Sequence, residues 1–328
     1  MRPFNYFRAT TGEEAVKTVS SHPKARYLGG GTNLLDLMKD NVESASDLVD
    51  LTRVPLTEIT DYKGGISIGA LAKNSDTANH ELIRTRYPLL SQAMLAAASA
   101  QIRNMATNGG NLLQRTRCGY FYDTALPCNK RAPGTGCGAR DGLNRMHAIF
   151  GASDQCVAVH PSDMAVALAA LDAKIHVLTP KGTVRIIPIA DFHRLPGDHP
   201  ESDNALQHGE LIARIELPPP RFMDHSYYLK VRDRTSYAFA LISVAAALEL
   251  DGNTIKDVRL AMGGVAHKPW RAHQVEKALI GKKATEQNFA AGAEAEMKAA
   301  QPLAYNGYKV ELGKRAIVRA LLRANGTV

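Results

Sequence analysis

The sequence predicts an α+β protein, built as two lobes followed by a smaller α+β domain. Short strand-like and helix-like runs alternate at the start of the chain, a longer mixed segment follows, and the cluster Pro218, Pro219 and Pro220 then stops the pattern. A length of 328 residues with 45% hydrophobic content also exceeds what one core usually serves.

The expected first lobe covers 1–54. Within it, "ARYLGGGTNLLDLMKD" reads as a strand, a glycine turn and a helix with Leu34, Leu37 and Met38 on one face, and "SDLVDLTRV" reads as a second strand. The second lobe covers 55–220. "GISIGALAKN" alternates like a strand, and "YPLLSQAMLAAASAQI" is helical with Pro88 suited to its first turn. "SDMAVALAALDA" is a further helix, and "KIHVLTPKGTVRIIPI" a strand, turn and strand. The third unit, 221–328, holds the strand-like runs "YAFALISVAAALEL" and "DVRLAMGGVAH", then two helix-like stretches ending in "ELGKRAIVRALLRA".

Charge and hydropathy narrow the function classes. The net charge of +8 comes from basic residues scattered among 32 acids without an aromatic and basic platform, so nucleic acid is not an expected partner. A surface that docks an acidic partner or draws in an anionic cofactor accounts for the excess. The longest apolar runs, such as "SVAAALEL", are shorter than the roughly 20 residues of a membrane span. The opening "MRPFNYFRATTGEE" lacks an apolar leader segment, so no targeting signal is expected from it.

Two glycine motifs point to a ligand. In "LGGGTNL", Gly29, Gly30 and Gly31 remove three side chains just before a helix, which lets backbone amides approach an anion. In "ATNGGNLL", Thr107 offers a hydroxyl, Gly109 and Gly110 allow close approach, and Asn111 can fix the loop or reach a ligand. Either motif alone is compatible with an ordinary tight turn, and neither matches G-x-G-x-x-G or a Walker loop. Two such loops on different lobes suit two linked phosphates, as in a dinucleotide held between lobes.

The motifs "GGGTNLLDLM", "ATNGGNLLQRTRC", "HPSDMAVAL", "GELIARIELPPP" and "KVRDRTSYAFALISVAAAL", in this order, resemble the FAD-binding medium subunit of the xanthine dehydrogenase and aldehyde oxidoreductase family of molybdenum hydroxylases. The stretches "QRTRC", "YFYDT" and "PCNKR" are most similar to the flavin subunit of bacterial three-subunit aldehyde oxidoreductases (aldehyde oxidases). The flavin subunit of 4-hydroxybenzoyl-CoA reductase is the nearest relative with different chemistry. The resemblance implies a two-lobed FAD-binding domain of the PCMH kind and a flavoprotein C-terminal domain. It implies that Leu28, Gly29, Gly30, Gly31, Thr32, Asn33 and Leu34 hold the FAD pyrophosphate, with Thr107, Gly110 and Asn111 as the second wall. Asp163 and Lys230 are then expected near the cofactor, although helix chemistry also suits Asp163 as an N-cap. His160, before Pro161, is expected to be structural. Many family members stack an aromatic residue near the flavin just upstream of the GGN motif, where this chain has "MLAAASAQ".

The chain has four cysteines, Cys118, Cys128, Cys137 and Cys156, separated by nine, eight and eighteen residues within an insertion at about 115–157. An iron-sulfur cluster, a four-thiolate zinc and two disulfides all use such a set. The absence of paired C-x2-4-C knuckles weighs against zinc. The resemblance implies a [4Fe-4S] cluster. Arg115, Arg117, Lys130, Arg131 and Arg140 are placed to offset its negative charge, and Tyr120, Phe121 and Tyr122 to shield it, dock a partner or fill the core.

No catalytic residue is expected, since the chain carries no molybdopterin motif, no closely spaced [2Fe-2S] cysteines and no nucleophile and base pair. The expected function is electron transfer within a molybdenum-dependent aldehyde oxidoreductase. Its expected partners are a small [2Fe-2S] subunit and a large molybdopterin subunit in a heterotrimer, alone or dimerised, with an external electron acceptor. The compartment is cytoplasmic, or periplasmic if a partner carries the export signal. Two rivals are a stand-alone NADPH-dependent flavin oxidoreductase and a zinc-stabilised scaffold subunit.

Overall fold

A computed structural model describes residues 1–327. Three sheets follow one another along the chain. β1 (Asn5–Arg8), β2 (Ala25–Leu28) and β3 (Asp47–Asp50) form a parallel sheet in the order β1-β3-β2. β2 and β3 carry the predicted strand, helix, strand unit, but β1 has no signal in the sequence. All four of its residues are exposed, so it carries no buried alternation. The helix between β2 and β3 is only Leu34–Lys39.

The second sheet is antiparallel in the order β4-β5-β8-β6-β7, from β4 (Ile59–Tyr62), β5 (Gly65–Gly69), β6 (Lys174–Leu178), β7 (Val184–Pro188) and β8 (Leu211–Leu217). β5 does not alternate as expected, because all five of its residues are buried. The predicted helix after Pro88 stops at Ala96 and restarts at Ala100. Ser99 caps the second piece by accepting from Ile102 N at 3.3 Å, and Ala98 adopts a left-handed φ of 49° between them. This break leaves the Ala96 carbonyl free to receive Lys230 and Arg232, each at 3.2 Å.

The third sheet has the order β12-β11-β10-β9, from β9 (Ser226–Val231), β10 (Ile242–Asp251), β11 (Thr254–Gly263) and β12 (Trp270–Arg271). Alternate residues of β10 serve two cores. Ala245 and Ala247 join the helix Asp163–Ala170 and the five-stranded sheet, whereas Val244, Ala246 and Leu248 pack with Ile317, Ala320 and Leu321 of the helix Tyr308–Ala324. Both faces are covered, which is why "ISVAAAL" reads as an unbroken apolar run. The helix Asp163–Ala170 is buried at every position for the same reason. Three helices follow the sheet rather than two: His273–Leu279, Glu286–Met297 and Tyr308–Ala324.

The cysteine insertion has almost no regular structure beyond the single turns Gly119–Tyr122 and Gly138–Asp141. Side chains hold it instead. The Arg131 guanidinium donates to the carbonyls of Tyr120 at 2.8 Å and Phe121 at 2.7 Å, and to that of Leu126.

Candidate functional site

The two glycine loops meet backbone to backbone. A Cβ on Gly30 would lie 1.9 Å from the Met105 carbonyl oxygen, and one on Gly29 would lie 2.9 Å from Thr107 Oγ1. Gly31 is the residue that needs a left-handed backbone, with φ 72°. Together Leu28, Gly29, Gly30, Gly31, Thr32, Asn33, Leu34, Thr107 and Gly110 border a cavity of ≈ 500 Å³. The amides of Gly30, Gly31, Thr32 and Asn33 meet no carbonyl among the described residues. Asn33 accepts from Arg115 N at 2.9 Å, while its own Nδ2 is buried without an acceptor. With a helix of only six residues behind them, these free N–H groups rather than a long helix dipole supply the positive potential. Of the two roles open to Asn111, fixing the loop or reaching a ligand, its hydrogen bonds match the first. Its side chain is spent on Asn74 at 2.7 Å, Gln114 at 2.9 Å and Ser162 at 2.6 Å, so it ties the loops together.

Asp163 and Lys230 find each other. The Lys230 ammonium donates to Asp163 Oδ2 at 2.7 Å, and Tyr228 OH donates to Oδ1 at 2.7 Å, with both charged side chains almost fully buried. The N-cap of the helix is Ser162, whose Oγ accepts from Ala165 N at 3.0 Å. Asp163 and Ser162 border a second cavity of ≈ 750 Å³, which also reaches Thr116, Cys118 and Phe239.

Cys118, Cys128, Cys137 and Cys156, far apart in sequence, line one small pocket, with Cys128 and Cys156 buried and Cys118 and Cys137 half-buried. Backbone pairing of Cys128 with Cys137 brings the middle two together. All four are free thiols. Among the described residues no three His, Cys, Asp or Glu side chains converge as a single ion requires. Burial pushes the Cys118 thiol up to about 11 and the Cys156 thiol up to about 12, so both need a positive partner to ionise.

The basic residues around this pocket have specific tasks. Arg117 lies over the Phe239 ring, 5.2 Å from its centroid, and Arg140 pairs with Asp154 at 2.7 Å. Phe121 packs into a small core with Leu37, Val42 and Cys128. Arg115 and Lys130 both pair with Asp203, a residue that sequence reasoning passed over. Burial alone would raise the Asp203 pKa, but Lys130 and Arg115 overrule it and hold the carboxyl well below the usual range. Asp203 sits in the long segment between Phe192 and Leu211, and the length of that connection in a packed lobe was the available signal. His160, expected as a turn residue, is buried against His193 with ring centroids 4.2 Å apart. Both of its ring nitrogens lack partners, as do His193 Nδ1 and His267 Nε2.

Comparison with known proteins identifies this architecture. The family described as "FAD binding domain in molybdopterin dehydrogenase" matches residues 2–220, and "CO dehydrogenase flavoprotein C-terminal domain" matches residues 227–324. The chain belongs to the FAD-binding subunits of the molybdenum hydroxylases. This FAD-binding subunit is 48% identical over 326 residues to the aldehyde oxidoreductase FAD-binding subunit PaoB of Escherichia coli K12, covering 99% of each chain. It is 32% identical over 281 residues to the glyceraldehyde dehydrogenase medium chain of Sulfolobus acidocaldarius, covering 85% of this chain and 82% of that one. The solved carbon monoxide dehydrogenase of Hydrogenophaga pseudoflava aligns with a TM-score of 0.77 at 24% identity, over 100% of this chain and 99% of that one. Quinoline 2-oxidoreductase of Pseudomonas putida 86 gives 0.77 and 24%, over 99% and 98%. Likeness at that identity shows the shared fold.

The residues of the subunit fit FAD. The free amides of Gly30 to Asn33 are donors suited to an anion, in a cavity of the size small ligands use.

Proposed function

We propose that this chain is the electron-transfer subunit of a molybdenum-dependent aldehyde oxidoreductase, carrying FAD and a [4Fe-4S] cluster. It receives electrons from [2Fe-2S] clusters of a small partner subunit and passes them to an external acceptor, while a large molybdopterin subunit oxidises the aldehyde. The single observation that carries the cluster is the convergence of all four cysteines of the chain on one small pocket. Identity of 48% to an aldehyde oxidoreductase subunit over nearly the whole chain supports the substrate class.

When bound, FAD and the cluster supply reversible one- and two-electron storage. The chain's own residues supply the rest. Gly30 to Asn33 present amides to the pyrophosphate, with Leu28, Gly29, Leu34, Thr107 and Gly110 as walls and Asn111 as the tie between loops. Asp163, held by Lys230, gives the second cavity a fixed polar edge that the flavin ring would meet. Cys118, Cys128, Cys137 and Cys156 present thiolates, and Phe121 excludes water from one side. In this reading the lobes are 1–54 and 55–220, followed by a C-terminal domain at 221–328. Among the described residues no helix is long and apolar enough to cross a membrane.

Spectroscopy and metal analysis of the purified complex test the proposal. Flavin bands with a broad shoulder at roughly 400 nm and an iron signal that disappears in Cys128→Ser are expected. A colourless protein with zinc overturns the electron-transfer reading. Flavin bands with no iron overturn the cluster alone. Turnover of 4-hydroxybenzoyl-CoA in place of aldehydes moves the complex to the related reductase chemistry.

A further inference from the structure

Among the described residues one histidine touches a cysteine. His147 Nε2 lies 3.1 Å from Cys118 Sγ. Cys118 is also the one cysteine that borders both the small thiol pocket and the ≈ 750 Å³ cavity, so this contact sits in the wall between them.

The peptide that carries the imidazole is held from three sides. The His147 carbonyl accepts from Asn306 Nδ2 at 3.2 Å and from Lys309 Nζ at 2.9 Å, and its amide donates to the Asn144 carbonyl at 3.0 Å. Asn306 and Lys309 are fully buried, and Lys309 also donates to the carbonyls of Met146 at 3.1 Å and Gly264 at 2.7 Å. The C-terminal domain therefore clamps the peptide that carries His147, although His147 itself belongs to the insertion. A buried lysine fully spent on three carbonyls is a large commitment for positioning one short loop.

We propose that His147 is a positioning residue that donates an Nε2–H···S hydrogen bond to Cys118 and so raises the reduction potential of the cluster. The inference rests on the four-cysteine reading above. A sulfur bonded to iron has no proton to give, so Nε2 carries the hydrogen and Nδ1 the lone pair, which agrees with the unpartnered Nδ1. A donor to a ligating sulfur draws electron density off it and stabilises the reduced, more negative cluster. The bond falls on the one cysteine that faces the larger cavity.

The test uses the intact complex with His147→Phe, which keeps a ring but no donor, and His147→Gln, which keeps an N–H. Iron and sulfide are counted, and the cluster midpoint is measured by redox titration followed by electron paramagnetic resonance. Full iron in both variants, a more negative midpoint in His147→Phe and a smaller shift in His147→Gln are expected. An unchanged midpoint in His147→Phe overturns the proposal. Loss of iron from His147→Phe overturns it too, because it makes the imidazole a ligand or a structural prop. Absence of iron from the unaltered complex instead removes the cluster reading itself.

Discussion

Lys130 leaves the cysteine insertion, runs fully buried to Asp203 on the wall of the glycine-loop cavity, and donates there to the carboxylate and to the Pro200 carbonyl at 2.7 Å. With Arg115, which pairs with the same carboxylate, it joins the two sites through one ion network. Removing Lys130 leaves Asp203 with Arg115 as its remaining partner, so the loss is smaller than the about 3–5 kcal/mol of a buried charge left with no partner. Lys130→Met should lower the thermal midpoint and reduce FAD content together, measured by calorimetry and absorbance. Normal FAD content in a folded Lys130→Met protein would show the two sites to be independent.

The glycine loops give a graded prediction. Gly30→Ala places a methyl group on the Met105 carbonyl and should abolish flavin retention, because neither backbone can move without opening the loop contact. Gly31→Ala meets only the flexible end of Leu35 and is penalised chiefly by its positive φ, about 1–2 kcal/mol. It should retain more flavin than Gly30→Ala. The reverse order in fluorimetric flavin assays would contradict the assigned geometry.

Asp163 and Ser162 separate two roles that share one helix start. Ser162→Ala removes the cap and should lower stability by about 1 kcal/mol. Asp163→Asn leaves the Lys230 ammonium buried without its counter-charge and should cost about 3 kcal/mol or more. Chemical denaturation of the two variants measures the difference, and equal losses would mean that the ion pair contributes little.

The buried histidines predict acid lability. Burial lowers His193 and His267 to about 4 and His160 well below its usual value, so the unfolded chain binds more protons than the folded one below about pH 6.5. Stability from these groups is present above that pH and is lost as pH falls towards 4, at about 1.4 kcal/mol per pH unit for each histidine. Asp203, held low by Lys130 and Arg115, adds a further loss that starts only below about pH 4. Thermal midpoints measured between pH 7.5 and 4.5 check this. Replacing His193 by Gln should flatten the slope, and an unchanged slope would refute the assignment.

The sequence by itself determined the fold class, the family, the cysteine set and the glycine loops. These are local signals: missing side chains at Gly29 to Gly31, a proline at the first turn of a helix, and apolar runs that mark where elements lie. It also marked "MAVALAAL" as helical and "ISVAAAL" as strand-like. Only the tertiary structure decided that the helix is buried all round within one core while the strand divides its residues between two, that Asp163 and Lys230 neutralise each other, and that Asn111 bonds its neighbours. It also decided that Lys130, Arg115 and Asp203 form one ion network, and that His147 rests on Cys118 under a clamp from Asn306 and Lys309. Each of these is a pairing between residues far apart in the chain. Periodicity reports only which face of an element is buried, whereas the partner of a buried charge is chosen by the packing of whole elements in space.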